Sequence, residues 1–250
     1  MLLNDLKYSL RTLAKKPGFA LVVVLTLALG IGANTTIFTV VNAYLLRPLP
    51  FNDPERLVSL TDMQPPNDRT PASYPEFEDW RKGNQVFTDV ACQFPTSLNL
   101  IGHREPERVL GVAVSQNYLS MLGVQPIAGR TFRADEHQPG ANPVVLIGPE
   151  LWRREFNGAS DVIGKSITLN RTNYTVVGVV DSAPLRPLGP RNAELWMPLE
   201  RAVPYTQRGT HYLRVIARLR PSIGIEQARS ELNVLAPAMS QPGAPRKWIP

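Results

Sequence analysis

From Pro17 to Leu46 the chain carries no charged side chain, and within that stretch Phe19 to Val41 gives 23 mostly apolar residues. About 20 helical residues cross a bilayer, so the pattern predicts a transmembrane helix over 18–46. A cleaved signal peptide is the competing reading, with FALVVVLTLALG as its core and Gly30 and Gly32 ahead of a cut. The apolar run resumes after Gly32 at Ile37, Phe38, Val40, Val41, Leu45 and Leu46, where a signal peptide would turn polar, and this favours the span. Ahead of it, Leu3, Leu6, Leu10 and Leu13 recur at three- and four-residue steps, with Leu2 on the same side. They fall within roughly 100° on a helical wheel. This predicts an amphipathic helix over 1–17 lying on the inner membrane face.

Beyond Leu46 the periods shorten. RPLPFNDPERLVSL holds prolines that stop a helix, then a first strand at Leu57 to Leu60. Gln64 to Pro71 reads as a proline-rich loop. In SYPEFEDWRKG, Ser73 and Glu76 have capping-box spacing and Pro75 sits in the first turn, which marks a helix start. Alternation over Glu107 to Ser115 predicts a strand, and QNYLSMLG a short helix ended by Gly123. From Gly129 the texture is mostly β: a loop, a strand in NPVVLIG, a short helix from Pro149 to Phe156, and KSITLN with YTVVGVV as a hairpin around Arg171 to Asn173. A turn-rich tract, Ser182 to Asn192, precedes LWMPL, and HYLRVIARL alternates as a strand. A last helix from near Ser222 is expected to bury Ile225, Ala228, Leu232 and Leu235. The expected fold is α+β: one N-terminal transmembrane helix, then a two-lobed α/β domain over 47–250. Its outer lobe is 47–123 plus 210–250, and its inserted β-rich lobe is 124–209.

Charge orients the span. Lys7, Arg11, Lys15 and Lys16 precede it and Arg47 alone follows closely, so the N-terminus is expected in the cytoplasm and residues from about 47 outside. The net charge of +6 comes from 27 basic and 21 acidic residues. Residues 1–17 supply +3 of it, from four basic side chains and one acidic, leaving 23 against 20 in the remainder. That is a balanced surface and excludes a phosphate-binding one, so no nucleic-acid partner is expected. Apolar residues at 43% fit a globular chain, and 24 prolines in 250 residues are about twice ordinary usage. One cysteine, Cys92, excludes an internal disulfide framework and any cysteine-rich metal site.

Within the span, Ala28, Gly30, Gly32 and Ala33 are small and Asn34 is polar. Small residues let helices approach closely, and an asparagine in lipid is cheaper with a partner across a helix interface. These five are therefore the candidate helix-packing residues. Candidates for chemistry are weaker. GASDVIGKS imitates a phosphate loop, but the glycine that motif needs is Ala159, and Lys165 to Asn170 reads as a strand where a helix should open. Asp135, Glu136 and His137 form the densest ionisable cluster and are expected to be a solvated loop. Glu76, Glu78 and Asp79 are expected to serve the start of their helix. Cys92 has no motif linking it to a histidine and is expected to be buried. No catalytic, cofactor-binding or metal-binding residue is expected, nor enzyme activity.

The stretch GIGANTTIFTVVNAYLLRPLPFNDPERLV resembles the first span and exit of MacB-like ABC transporter permeases, in particular acidobacterial-type orphan permeases. The likeness continues through LGVQPIAGRTF and NPVVLIGPELWRREFNGASDVIGKSITLNRTNYTVVGVV, as in the periplasmic core domain of that family. The resemblance implies a place in the bacterial inner membrane, with residues from about 47 periplasmic. It implies the N-terminal part of a mechanotransmitting MacB/FtsX-like permease in export or efflux. ATP would bind a partner ATPase subunit and no cofactor this chain. Other implied partners are the lipid bilayer, further permease helices or a second permease copy in a dimer, and a periplasmic adaptor. Permeases of this kind carry three more spans after the core domain, and QPGAPRKWIP leads into none, so the chain is expected to be a fragment or a truncated product. The alternative is a signal-anchored periplasmic binding or adaptor module without transport activity.

Overall fold

The computed structural model of the protein describes residues 17–42, 50–64, 68–102, 105–201, 209–239 and 247–249. The amphipathic helix expected over 1–17 falls outside them except for Pro17. The chain divides into two compact units, 1–48 and 49–250. In the first, Pro17 opens a helix, α1 (Pro17–Val41), with no acidic residue in its first turn and no basic residue in its last. Among the described residues it is the one helix long and apolar enough to cross a membrane. Three of its four threonines bond back to their own helix. Thr26 donates to the Val22 carbonyl at 2.8 Å, Thr36 to Gly32 at 2.7 Å and Thr39 to Thr35 at 2.7 Å. Such bonds let hydroxyls sit in hydrocarbon without an outside acceptor.

The second unit is a mixed α/β domain. Its strands are β1 (Leu57–Gln64), β2 (Asp68–Thr70), β3 (Phe87–Ile101), β4 (Glu107–Val114), β5 (Pro126–Gly129), β6 (Val144–Ile147), β7 (Ser166–Leu169), β8 (Thr172–Val180), β9 (Leu195–Pro198), β10 (Arg214–Leu219) and β11 (Lys247–Ile249). Between them lie the helices α2 (Tyr74–Gly83), α3 (Tyr118–Met121), α4 (Pro149–Phe156) and α5 (Ile225–Met239). The strands join one sheet in the order β11-β1-β10-β3-β4-β9-β6-β8-β5, with β2 beside β1 and β7 bridging β3 and β8. Strands from before Gly123 and after Thr210 occupy one half of this order, and those from 124–209 the other. The halves meet at the parallel pair β4 and β9 and again where β7 pairs with β3.

Alternation along each strand feeds two hydrophobic layers. Val109 and Ala113 of β4, Val145 and Ile147 of β6, and Val215 and Ala217 of β10 face one layer, covered by Phe77 and Trp80 of α2, Leu151 of α4, and Ala228 and Leu232 of α5. Their neighbours Val112, Val114, Val144, Leu146 and Ile216 face the other, covered by Phe51, by Tyr118, Leu119 and Met121 of α3, and by Leu185 and Ala193. Both faces are buried, so several strands read as continuous apolar runs. The capping box of α2 is present: Ser73 N–H donates to Glu76 Oε2 at 2.8 Å and Glu76 N–H to Ser73 Oγ at 3.4 Å. The hairpin β7–β8 turns on Asn170 (φ 48°) and Arg171 (φ 67°), one residue earlier than expected. Two consecutive positive φ angles make this the turn that matches strand twist.

Four expectations need correction. The loop expected over Gln64 to Pro71 is partly strand, because β1 runs on to Gln64 and β2 pairs back onto it. Ile225 is 45% exposed, since α5 opens at Ile225 itself and only Ala228 and Leu232 turn inward; the side chain of Leu235 lies outside the described residues. The fifteen-residue β3 was hidden by Pro95 at its centre, a residue that argues against a central strand. Its placement resolves the conflict. Ser115 N–H donates to the Cys92 carbonyl, directing even-numbered groups of β3 toward β4, whereas Asn170 N–H donates to the Asn99 carbonyl on the opposite side. The missing N–H of Pro95 therefore points to that opposite side, where β10 has ended at Gln93 and β7 begins only at Leu100.

Fourth, Glu136 and His137 are not solvated. They sit buried in a 3-10 turn, Ala134–His137. Glu136 accepts both arms of the Arg130 guanidinium, at 2.8 and 2.5 Å, and the Arg133 N–H at 2.7 Å. His137 Nδ1 lies 2.8 Å from Glu200 Oε2, with its ring edge-on to Phe132. Pairing makes burial tolerable, and for His137 the partner lies 63 residues away, beyond what neighbours in sequence show. Burial alone would raise the Glu136 carboxyl, but the bonds from Arg130 and Arg133 outweigh it and hold it below the usual range.

Two outcomes follow. Trp80→Ala removes a ring that is 1% exposed and should cost roughly 3–5 kcal/mol in urea denaturation of the full chain. Pro95→Ala should cost less than about 1 kcal/mol, since only the entropy of the unfolded chain changes; the reverse ranking would contradict this account of β3. Because folding lowers the Glu136 pKa, its contribution is present above the ordinary carboxylate range and is lost as pH falls through the lowered value. Glu136→Gln should thus flatten the loss of stability on acidification, and an unchanged acid limb in paired denaturation curves would refute the assignment.

Candidate functional site

The five candidate residues of α1 do not form one stripe. At 3.6 residues per turn, Ala28 and Gly32 share a face, Gly30 and Asn34 share another roughly opposite, and Ala33 lies between. All five are exposed on the helix, and a Cβ added at Gly30 or Gly32 would meet nothing within 4 Å. The Asn34 carboxamide makes no hydrogen bond among the described residues, unlike the hydroxyls of Thr26, Thr36 and Thr39. Asn34, like the neighbouring Thr35 hydroxyl, thus has a reason to seek a partner outside the helix.

Residues 50–56 are the first described after the span and lead into β1. The prolines around them stop a helix; the structure shows what holds them. Phe51 is buried with α3. From β10, Arg218 Nη1 donates to the Asn52 carbonyl at 2.5 Å and the Asp53 carbonyl at 3.1 Å, while its Nη2 donates to the Met121 carbonyl at 2.7 Å. Arg56 Nε returns a bond to the Leu219 carbonyl of β10 at 2.9 Å. Gly123 has φ +72°, which favours glycine, and a Cβ there would also displace the Asn52 amide, 2.8 Å from its place. Sequence reasoning missed Arg56 and Arg218 as functional candidates because their acceptors are mostly backbone carbonyls, which every residue carries.

A polar cleft of about 330 Å³ opens where α2 meets the end of β4 and the 134–137 turn, lined by Tyr74, Glu78, Arg81, Gln116, His137 and Glu200 among others. Its carboxylates are engaged. Glu78 lies 2.8 Å from both Arg81 and Lys82, and Glu200 holds His137. Burial, then the charges of Glu78 and Glu200, push the Tyr74 phenol up to about 12. His137 turns its Nδ1 to Glu200, its buried Nε2 has no hydrogen-bond partner, and among the described residues no hydroxyl of the cleft is hydrogen-bonded to it. Glu76 is buried in its cap and Asp79 lies further along α2. Cys92 is fully buried, its thiol pushed well up by desolvation, and its N–H donates to Ser115 Oγ. In GASDVIGKS, Lys165 binds Asp161 at 2.7 Å and Ser166 opens β7, so no helix N-terminus follows to receive a phosphate. Among the described residues no group of three or more His, Cys, Asp or Glu side chains could hold a metal ion.

Three solved structures share the fold. They are the periplasmic region of MacB from Actinobacillus actinomycetemcomitans (13% identity, TM-score 0.59, 78% of this chain and 88% of that one) and the extracellular domain of the noncanonic ABC-type transporter YknZ from Gram-positive bacteria (16%, 0.58, 78% and 100%). The third is a domain of a putative permease protein from Porphyromonas gingivalis (16%, 0.62, 79% and 90%). No curated protein sequence matches this chain. The MacB-like periplasmic core domain family matches residues 20–235, from within α1 into α5. Since that match takes in most of the chain, the protein belongs to the family of MacB-like periplasmic core domains, as found in ABC transporter permeases.

Proposed function

We propose that this chain is the N-terminal part of a mechanotransmitting permease of the MacB/FtsX-like type. ATP hydrolysed by a partner subunit in the cytoplasm moves helices in the bacterial inner membrane. α1 passes that motion to the domain beyond residue 47 in the periplasm, where a change in the relation of two lobes drives export or efflux. The observation that carries this reading is the continuity of the family match through α1 and the domain together, which supports reading the helix as part of the unit. The chain supplies no catalytic residue and no cofactor site in this scheme; its work is mechanical. The two lobes correspond to the two halves of the sheet order, 47–123 with 210–250, and 124–209.

The basic residues before α1 and their scarcity after it support a cytoplasmic N-terminus. The open faces at Ala28 and Gly32, and at Gly30 and Asn34, support packing of α1 against further permease helices or a second copy. A periplasmic adaptor would meet loops held on the rigid sheet. The alternative, a signal-anchored binding module, needs no helix partner for α1, and this separates the two.

Photocrosslinkers at Gly30 and Asn34 in native membranes should give protein adducts, and Asn34→Leu should weaken those formed from Gly30. Adducts with lipid alone at both positions would favour the anchored module. For topology, Ser97→Cys places an exposed thiol on β3 while Cys92 stays buried. A membrane-impermeant maleimide should label intact spheroplasts of this variant. Labelling that requires lysis would overturn the periplasmic placement.

A further inference from the structure

One guanidinium joins the chain leaving the membrane to two separate elements of the domain. Arg218 sits on β10, which pairs with β1 on one side and β3 on the other. Its Nη1 holds the carbonyls of Asn52 and Asp53, and its Nη2 holds the carbonyl of Met121, the last residue of α3. Three acceptors on one planar fork fix both distance and angle, which a lysine with a single ammonium cannot do. The same segment is held independently by the Phe51 ring, packed with Leu119, Met121 and Leu122, and by Arg56, which returns to Leu219 beside Arg218. The Arg218 carbonyl accepts from Thr88 Oγ1 of β3 at 3.2 Å, so the clamping residue is itself tied to the longest strand. Asp53 takes a left-handed conformation, φ 43° and ψ 60°, with its carboxylate 3.2 Å from Arg56 Nη1. The turn thus presents two successive carbonyls to one side chain.

We infer that Arg218 is the residue through which a pull on the exit segment reaches the sheet: it clamps residues 52–53 and the end of α3 to β10, so displacement at residue 50 moves β10 and α3 together rather than uncoiling the linker. Its purpose rests on the permease reading above, but its test does not, because force can be applied without any ATPase partner. Arg218 is a positioning residue. Without it, residues 50–55 keep only the Phe51 ring ahead of Arg56, a contact that a low force strips, so a short displacement at residue 50 is absorbed before it reaches β1.

The test is single-molecule pulling on the full chain in a bicelle, with handles on Leu49→Cys and Ser97→Cys and the buried Cys92 left in place. The parent should show one main unfolding event with no extension before it. Arg218→Met should add an early, low-force extension shorter than about 20 Å, the contour length of residues 50–55 less the distance they already span, with the main event unchanged. Arg218→Lys keeps the charge and the stem but loses the fork, so it should show the same early step and covers the case in which the methionine variant fails to fold. Traces matching the parent for both variants would overturn the inference. So would a lower main unfolding force with no early step, since that is what a merely structural arginine gives.

Discussion

The pairing of β3 is the constraint on which the domain depends. This one strand takes β10 along its first half, β4 along its second half and β7 at its end, so segments from residues 87, 107, 166 and 214 must all be in place before it is satisfied. Backbone groups in a buried sheet have no water to turn to, and a strand left half-paired is costly. Pro95 is tolerated because it falls at the handover between β10 and β7, where one side of β3 carries no neighbour. The two hydrophobic layers then follow from period-two alternation, one facing α2, α4 and α5, the other facing α3 and the exit segment.

The same economy of pairing describes the charged groups. Arg130 with Glu136 and His137 with Glu200 tie turns to one another, and Arg154 ties α4 to Glu107 of β4 and to Glu194 just before β9. Burial moves Cys92 and Tyr74 away from reactive ionisation instead of toward it. What the domain offers is stiffness between points: a sheet covered on both faces, a capped helix against it, and an incoming chain tied down by a ring and two guanidiniums. That suits a part that transmits displacement.

Legibility in the sequence varied with the range of the interaction. α1, the cap of α2, α4 and the β7–β8 hairpin were readable because periodicity, the Ser73 and Glu76 spacing, and local turn residues determine them. β3 was not, since Pro95 and the polar Gln93, Thr96, Ser97 and Asn99 mask an alternation that only its partners make sense of. Burial of Glu136 and His137 was invisible because the compensating groups include Glu200, 63 residues from His137. The candidate packing residues of α1 could be named from their size and polarity, while their division between two faces follows only from the helix. The exit clamp had no signature at all: an arginine in a strand reads as a surface residue until the carbonyls it holds are known.

The central claim is that nucleotide turnover in the cytoplasm changes the shape of the periplasmic domain. The direct measurement is the distance between spin labels on Ser97→Cys and Ile127→Cys, one in each half of the sheet order, in the complex purified from native membranes with its ATPase subunit. The account predicts that the ATPase copurifies and that the distance distribution shifts between nucleotide-free and ATP-trapped states. A distribution unmoved by nucleotide in a complex that hydrolyses ATP would contradict it.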